Sequence, residues 1–325
     1  MATAAAVDAV VRAAGPHVAE LMARVEQRLR ELAAGHGAVL AEHAGATIAA
    51  GGKRLRPLLV LLAAGAPAGE AATRRLVRSA VAVELIHSAS LVHDDVLDAA
   101  PTRRGRPTVV AAAGRRIATA TGDLLFSRAF AELAAGGEPD DVRALSAASS
   151  ALARGELVQR ADAWNVAVPL ERYLERCVLK TGSLFEAACR LGALAVGGPA
   201  DALGAFGRRI GLAFQLLDDV LDVSGPASRT GKARGTDLLD GTVTLPLILA
   251  RQRDPALAAT DLRALRDPVE AEALCDRIAA TGALEEARRR ALDVVAEATA
   301  ALPALPDRQR RALELVAAGV VERYA

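Results

Sequence analysis

The chain has 325 residues, of which 52% are apolar and 24% charged, with a net charge of +1. That balance excludes a globally basic nucleic-acid binder, so any anion site must be local. Aromatic residues make up only 2%, so Ala, Leu and Val must fill a large core, which favours closely packed helices.

The N-terminus lacks a basic start followed by an apolar stretch, so no signal peptide is expected. The longest uncharged apolar run, Pro57 to Gly69, is too short and too broken by Gly and Pro to span a membrane. Cys177, Cys189 and Cys275 show no metal-ligand spacing and cannot all pair. Buried thiols in a reducing, cytoplasmic compartment are the expectation.

In chain order, residues 2–34 read as one or two amphipathic helices, broken at Gly35-His36-Gly37. A short helix leads to Gly51-Gly52, and Pro57 suits the first turn of the next. A long helix then ends in LVHDDVLD, Leu91 to Asp98, and Ala99 to Thr108 (AAPTRRGRPT) reads as a loop. Helices are expected over 109–135, 141–161, 170–196 and 200–222, the last ending in a second DDVLD. Ser224 to Thr236 is a second polar loop. Helical patterns resume near Val243, with breaks at Asp254-Pro255, Asp267-Pro268, Thr281-Gly282 and Pro303 to Pro306. No strand series and no domain linker stand out. One all-α domain of ten or more helices, spanning 1–325 with its motif-bearing core over about 40–325, is the expected architecture.

The two acidic helix ends carry the chemistry. Positions four apart share a helix face, so Asp94 and Asp98 point the same way with Asp95 beside them. Asp218, Asp219 and Asp222 repeat that spacing. Beneath the first triplet the same face carries Ser90, Ile86 and Ala82; beneath the second, Phe214, Ile210 and Phe206. Stacked carboxylates repel by ~0.2–0.5 kcal/mol per pair, and no Lys or Arg lies within a turn of either triplet. One DDxxD alone is as well explained by a solvated acidic helix end. Two copies above apolar columns point instead to a hard cation, and oxygen ligands with room for water suit Mg²⁺.

Cations cluster around these rims. Gly51-Gly52-Lys53-Arg54-Leu55-Arg56-Pro57 sets three of them beside two glycines, a pattern able to receive phosphate. Arg103 and Arg104 follow the first triplet closely enough to fold back over it, and His87 lies near the same helix face. Only three of 40 basic residues are Lys: Lys53, Lys180 and Lys232, which marks places where a compact ammonium is preferred to a planar fork. Lys180-Thr181 sits in an apolar helix beside Gly182, and Gln215 lies one turn before Asp219. Acidic rims, surrounding cations and apolar columns suit an amphiphile with a diphosphate head and a hydrocarbon tail.

GGKRLRP, HSASLVHDDVLD, RRGRPT, LKTGSLFEA, FQLLDDVLD and GKARGTDL, in this order, resemble the motifs of the trans-polyprenyl diphosphate synthases (all-trans prenyltransferases). The resemblance runs from about Gly51 to the C-terminus. It implies the all-α isoprenoid synthase fold, a bundle around a central cavity, usually as a homodimer. It further implies Mg²⁺, three ions per site, and head-to-tail condensation of isopentenyl diphosphate with geranyl, farnesyl or geranylgeranyl diphosphate. Asp94, Asp98 and Asp218 match the principal metal ligands, supported by Asp95, Asp219 and Asp222. Lys53, Arg56, His87 and Arg104 match the isopentenyl diphosphate positions; Arg103, Lys180, Thr181, Gln215 and Lys232 match those around the allylic diphosphate.

Two positions depart from the pattern. Thr242 stands where the family's GKxTLP motif has Lys, and Gly182 where Ala is usual. Relatives with short products close the pocket floor with a bulky residue just before the first triplet; here Ala89 and Ser90 are small. Both lie ~6–8 Å below Asp94 along the helix, so a product of about C30–C50 is expected, with Ile86 as a deeper stop. Three rivals remain at this point. A metal phosphohydrolase built on His93-Asp94 leaves the second DDVLD unexplained, and a terpene cyclase leaves GGKRLRP unexplained. A non-enzymatic partner subunit of a heteromeric synthase, or a degenerate interaction protein, would be expected to lose acidic or basic motif residues.

Overall fold

A computed structural model describes residues 4–35, 37–50, 52, 54–103, 105–225 and 234–322. Its architecture is the expected helical one. Pro16 opens α2 (Pro16–Ala34) after α1 (Ala4–Ala14), and Leu21, Val25, Leu29 and Leu32 form its buried stripe. α3 (Ala38–Ala49) and α4 (Leu55–Ala64) follow.

The centre of the molecule is α5 (Gly69–Leu97), ~44 Å long at 1.5 Å per residue. From Leu76 to Val92 it is buried on nearly every side, as a helix without a consistent polar face must be. It packs between α2, α4, α6 (Val109–Ala134) and α9 (Ser183–Leu194). The other acidic helix, α10 (Ala200–Ser224), packs on α9 and on the helix Ala283–Ala300. The two DDVLD helices thus share a neighbour.

α7 (Pro139–Ala161) and α8 (Leu170–Cys177) complete this half, and α8 continues through a π-helical turn, Val178–Gly182, into α9. Further on, Thr236–Leu239, Leu245–Arg253, Pro255–Ala258, Pro268–Ala280, Ala283–Ala300 and Asp307–Glu322 are helical. The breaks fall where expected. Asp254 and Asp267 accept from the first backbone N–H groups of the helices they precede, and Pro follows each of them at N1.

The segment after the first triplet departs from a plain loop. Thr102–Arg103 and Arg106–Pro107 form a minimal antiparallel hairpin, made possible by the left-handed turn at Gly105, φ 74°. Among the described residues no helix is long and apolar enough to cross a membrane. All three cysteines are buried and unpaired.

One of the three cations in GGKRLRP is structural. Arg54 is nearly buried, donating to Glu26 at 2.5 Å, Glu84 at 2.7 Å and the Ile48 carbonyl at 2.8 Å. Glu84 is 4% exposed, and burial raises its carboxyl while Arg54 opposes that rise. Arg54→Ala is therefore expected to destabilise the fold by about 3–5 kcal/mol, because it strands a buried charge; urea unfolding of the two proteins measures the difference.

Candidate active site

The first rim is the last turn of α5. Asp95 is buried and receives Arg103, which does fold back from the hairpin, with Nε and Nη2 both 2.7 Å from Oδ1. Asp98, at the C-cap, accepts from Arg160 Nη2 at 2.6 Å. Asp94, one turn before Asp98, shares its helix face. Burial raises its carboxyl, Lys180 opposes that rise, and the nearby charges of Glu156 and Asp98 add to it. The rim is not bare of cations, as its own helix suggested: Arg103 and Arg160 reach it from the hairpin and from α7.

The second rim is the last turns of α10. Asp218 is exposed, Asp219 is 3% exposed and Asp222 is half-buried. Both oxygens of Asp219 are engaged: Tyr173 Oη donates to Oδ2 at 2.6 Å and Gln215 Nε2 to Oδ1 at 2.7 Å. Burial, reinforced by Asp237, pushes this carboxyl up to about 7, against the pull of those two hydrogen bonds. Asp222 Oδ2 accepts from the Asp237 amide at 3.3 Å, fixing the start of the helix Thr236–Leu239.

The rims are joined by side chains. From Asp98 the path runs to Arg160, then to Glu156 at 2.8 Å, then to Lys180, which also donates to Gln159 at 3.3 Å. Next along the backbone, Thr181 Oγ1 donates to Gln215 Oε1 at 2.7 Å, and Gln215 holds Asp219. Burial raises the Glu156 carboxyl, but Lys180 and Arg160 outweigh it and leave it lowered. Lys180 and Thr181 sit on the π-helical turn, a wider turn that is frequent at functional sites. Its neighbours are glycines: a Cβ on Gly155 would lie 2.6 Å from the Lys180 amide nitrogen, and one on Gly211 would lie 2.8 Å from Gly182 Cα.

The remaining sequence candidates are distributed as follows. The Arg56 guanidinium stacks 4.8 Å from the Phe185 ring centroid, and His87 is half-buried on α5. Ile86, Ala89 and Ser90 are buried below the first rim. Thr242 donates its amide to the Asp237 carbonyl at 2.7 Å, while Trp164, on the turn after α7, donates its amide to Gly241 at 2.7 Å. Lys53, Arg104 and Lys232 lie outside the described residues. A cleft of about 430 Å³ lined by Arg74, Arg75, Arg78 and Asp141 belongs to the N-terminal end of α5, away from both rims.

Glu156, Gln159, Arg160 and Tyr173 belong to none of the motifs that mark the site in the sequence. The first three occupy one face of α7 at i, i+3 and i+4, a polar patch in an otherwise small and apolar stretch. Tyr173, one of two tyrosines, carried no signal of its role.

Among the described residues no group of three or more His, Cys, Asp or Glu is arranged to hold an ion unaided. The donor set nonetheless suits a hard divalent cation that takes its other oxygens from a ligand: every candidate donor is a carboxylate, and like charge already presses on Asp94.

The polyprenyl synthetase family model matches residues 38–280. A curated relative, heptaprenyl diphosphate synthase component 2 of Geobacillus stearothermophilus, is 41% identical over 268 residues, covering 81% of this chain and 83% of that one. A decaprenyl diphosphate synthase structure from Rhodobacter capsulatus superposes with a TM-score of 0.88 at 34% identity, covering 98% of this chain and 99% of that one. A polyprenyl synthase from Caulobacter crescentus, complexed with calcium and isoprenyl diphosphate, gives a TM-score of 0.89 at 34% identity and 98% coverage of both chains. With its two acidic helix ends bridged through Lys180, Thr181 and Gln215, this chain belongs to the polyprenyl synthetase family and is an all-α prenyltransferase, a polyprenyl diphosphate synthase.

Proposed function

We propose that the protein condenses isopentenyl diphosphate head-to-tail with an allylic diphosphate (geranyl, farnesyl or geranylgeranyl) to give an all-trans polyprenyl diphosphate. The observation that carries this reading is the side-chain path between the rims, which sets Lys180, Thr181 and Gln215 between Asp98 and Asp219. Mg²⁺ fits the carboxylate donors, and Asp94, Asp98 and Asp218 are the residues that would hold it. Three ions per site suit the two rims together. When bound, the divalent ions neutralise charge on the departing diphosphate.

In this reading the allylic C–O bond breaks and its electron pair leaves on the diphosphate, which Lys180, Thr181, Gln215, Arg103 and Lys232 receive. Lys53, Arg56, His87 and Arg104 hold isopentenyl diphosphate, whose double bond supplies the pair for the new C–C bond. The proton released passes to the freed diphosphate, so no side-chain nucleophile is required. Asp95 and Asp219, each tied to its own chain, act as anchors that aim their rims, and Asp222 fixes the following helix.

A product of medium to long chain, about C30–C50, agrees with relatives named as heptaprenyl, decaprenyl and solanesyl diphosphate synthases. Ala89, 0% exposed, and Ser90, 8%, are small and face the interior below Asp94. Ala89→Phe is expected to shorten the product by several isoprene units, read by chromatography after dephosphorylation. An unchanged spectrum places the floor elsewhere, with Ile86 the next position down.

We further propose that 1–325 works as one domain, as a cytoplasmic homodimer. Its rival is a two-component enzyme, since the Geobacillus relative is named component 2 of its synthase. Incubating the purified chain alone with Mg²⁺, isopentenyl diphosphate and farnesyl diphosphate decides between them. Elongation supports the self-sufficient enzyme; its absence, restored by a second subunit, supports the rival.

A further inference from the structure

Arg160 lies outside every motif singled out in the sequence, yet it touches the first rim. It belongs to the last turn of α7. Its Nη2 donates to Asp98 Oδ1 at 2.6 Å and its Nε to Glu156 Oε1 at 2.8 Å. Glu156 receives Lys180 on its other oxygen. The guanidinium therefore stands between the rim and the Glu156–Lys180 pair, at the open edge of the site, where Arg160 and Asp98 are 43% and 40% exposed. Ion pairs this exposed contribute little to stability, so holding the fold together is a weak reason for the contact.

A hard divalent ion held by Asp98 would meet a guanidinium on the same carboxylate, and the two would repel. The Nε–Glu156 bond anchors the other edge of the fork, so losing Asp98 turns the group about that anchor rather than expelling it. The acceptors that arrive with the ion are diphosphate oxygens, which an Arg fork matches.

From this geometry we propose that Arg160 exchanges partners during loading: it covers Asp98 in the empty site and binds the diphosphate once an ion takes Asp98. This rests on the reading of Asp98 as an ion ligand given above.

The test uses the full chain and its Arg160→Leu and Arg160→Lys variants. Mn²⁺ binding is followed by electron paramagnetic resonance, and inorganic pyrophosphate binding at saturating Mn²⁺ by calorimetry. In Arg160→Leu, Mn²⁺ alone binds several-fold more tightly, because its ligand is no longer covered, whereas pyrophosphate binds about tenfold or more weakly, the loss of a charge-assisted hydrogen bond. Arg160→Lys recovers part of the pyrophosphate affinity. A merely structural residue would move both affinities the same way, together with the thermal midpoint. Unchanged affinities, or a parallel loss of both, overturn the inference. A wild-type chain that binds neither Mn²⁺ nor pyrophosphate overturns the reading of the site beneath it.

Discussion

Asp94→Ala is expected to lower kcat by about a thousandfold or more without unfolding the protein earlier, and Asp218→Ala to lower kcat by the same order. The size follows from the proposed role: removing even one preorganised donor to a developing charge typically costs ~10²–10³ in kcat, and here a ligand for the charge-neutralising ion is lost. The stability half of the prediction comes from the local field. Burial and the neighbouring carboxylates Glu156 and Asp98 act against an ionised Asp94, so alanine relieves repulsion in the empty site. Steady-state kinetics with isopentenyl and farnesyl diphosphates, beside a thermal melt without metal, check both halves. A kcat drop accompanied by a lower melting temperature would recast Asp94 as structural. Because both carboxylates serve one ion cluster in this account, the double variant loses much less than the product of the two single losses.

Lys180→Met should be the next most damaging change, with kcat/KM falling about a hundredfold or more. Two effects combine. The side chain proposed to receive the departing diphosphate is gone, and Glu156, whose side chain is 13% exposed, loses its principal counter-ion. Lys180 also holds the Asp94 carboxyl down. Without it Asp94 ionises at higher pH, so the acid limb of the kcat/KM profile moves upward. The sign follows because removing a nearby cation disfavours the charged carboxylate. Glu156→Gln combined with Lys180→Met removes the stranded charge and should return the limb toward wild type without restoring kcat. A pH–rate profile of the three proteins distinguishes the outcomes; an unmoved limb would mean that Lys180 and Asp94 are uncoupled.

Much of this molecule is legible in the sequence because its signals are local. Asp254-Pro255 and Asp267-Pro268 announce breaks between helices, and in the fold each Asp caps the helix that follows. The repeated DDVLD advertises itself by spacing alone. What the chain does not disclose is set by contacts across long separations. Arg160 meets Asp98 from 62 positions away and Tyr173 reaches Asp219 from 46. No periodicity within α7 or α8 encodes either meeting. The π-helical turn beneath Lys180 is of the same kind, since its close neighbours are Gly155 on α7 and Gly211 on α10. GGKRLRP shows the reverse case: three adjacent cations look alike in sequence, but Arg54 is turned inward onto Glu26 and Glu84.

The most direct measurement is anomalous diffraction from crystals of the chain soaked with Mn²⁺ and a non-hydrolysable allylic diphosphate analogue. Mn²⁺ peaks are expected at Asp94 and Asp98 and at Asp218, around one diphosphate, with the prenyl tail running down past Ser90 and Ala89. Ions confined to one triplet, or a diphosphate seated away from Lys180 and Gln215, would contradict it.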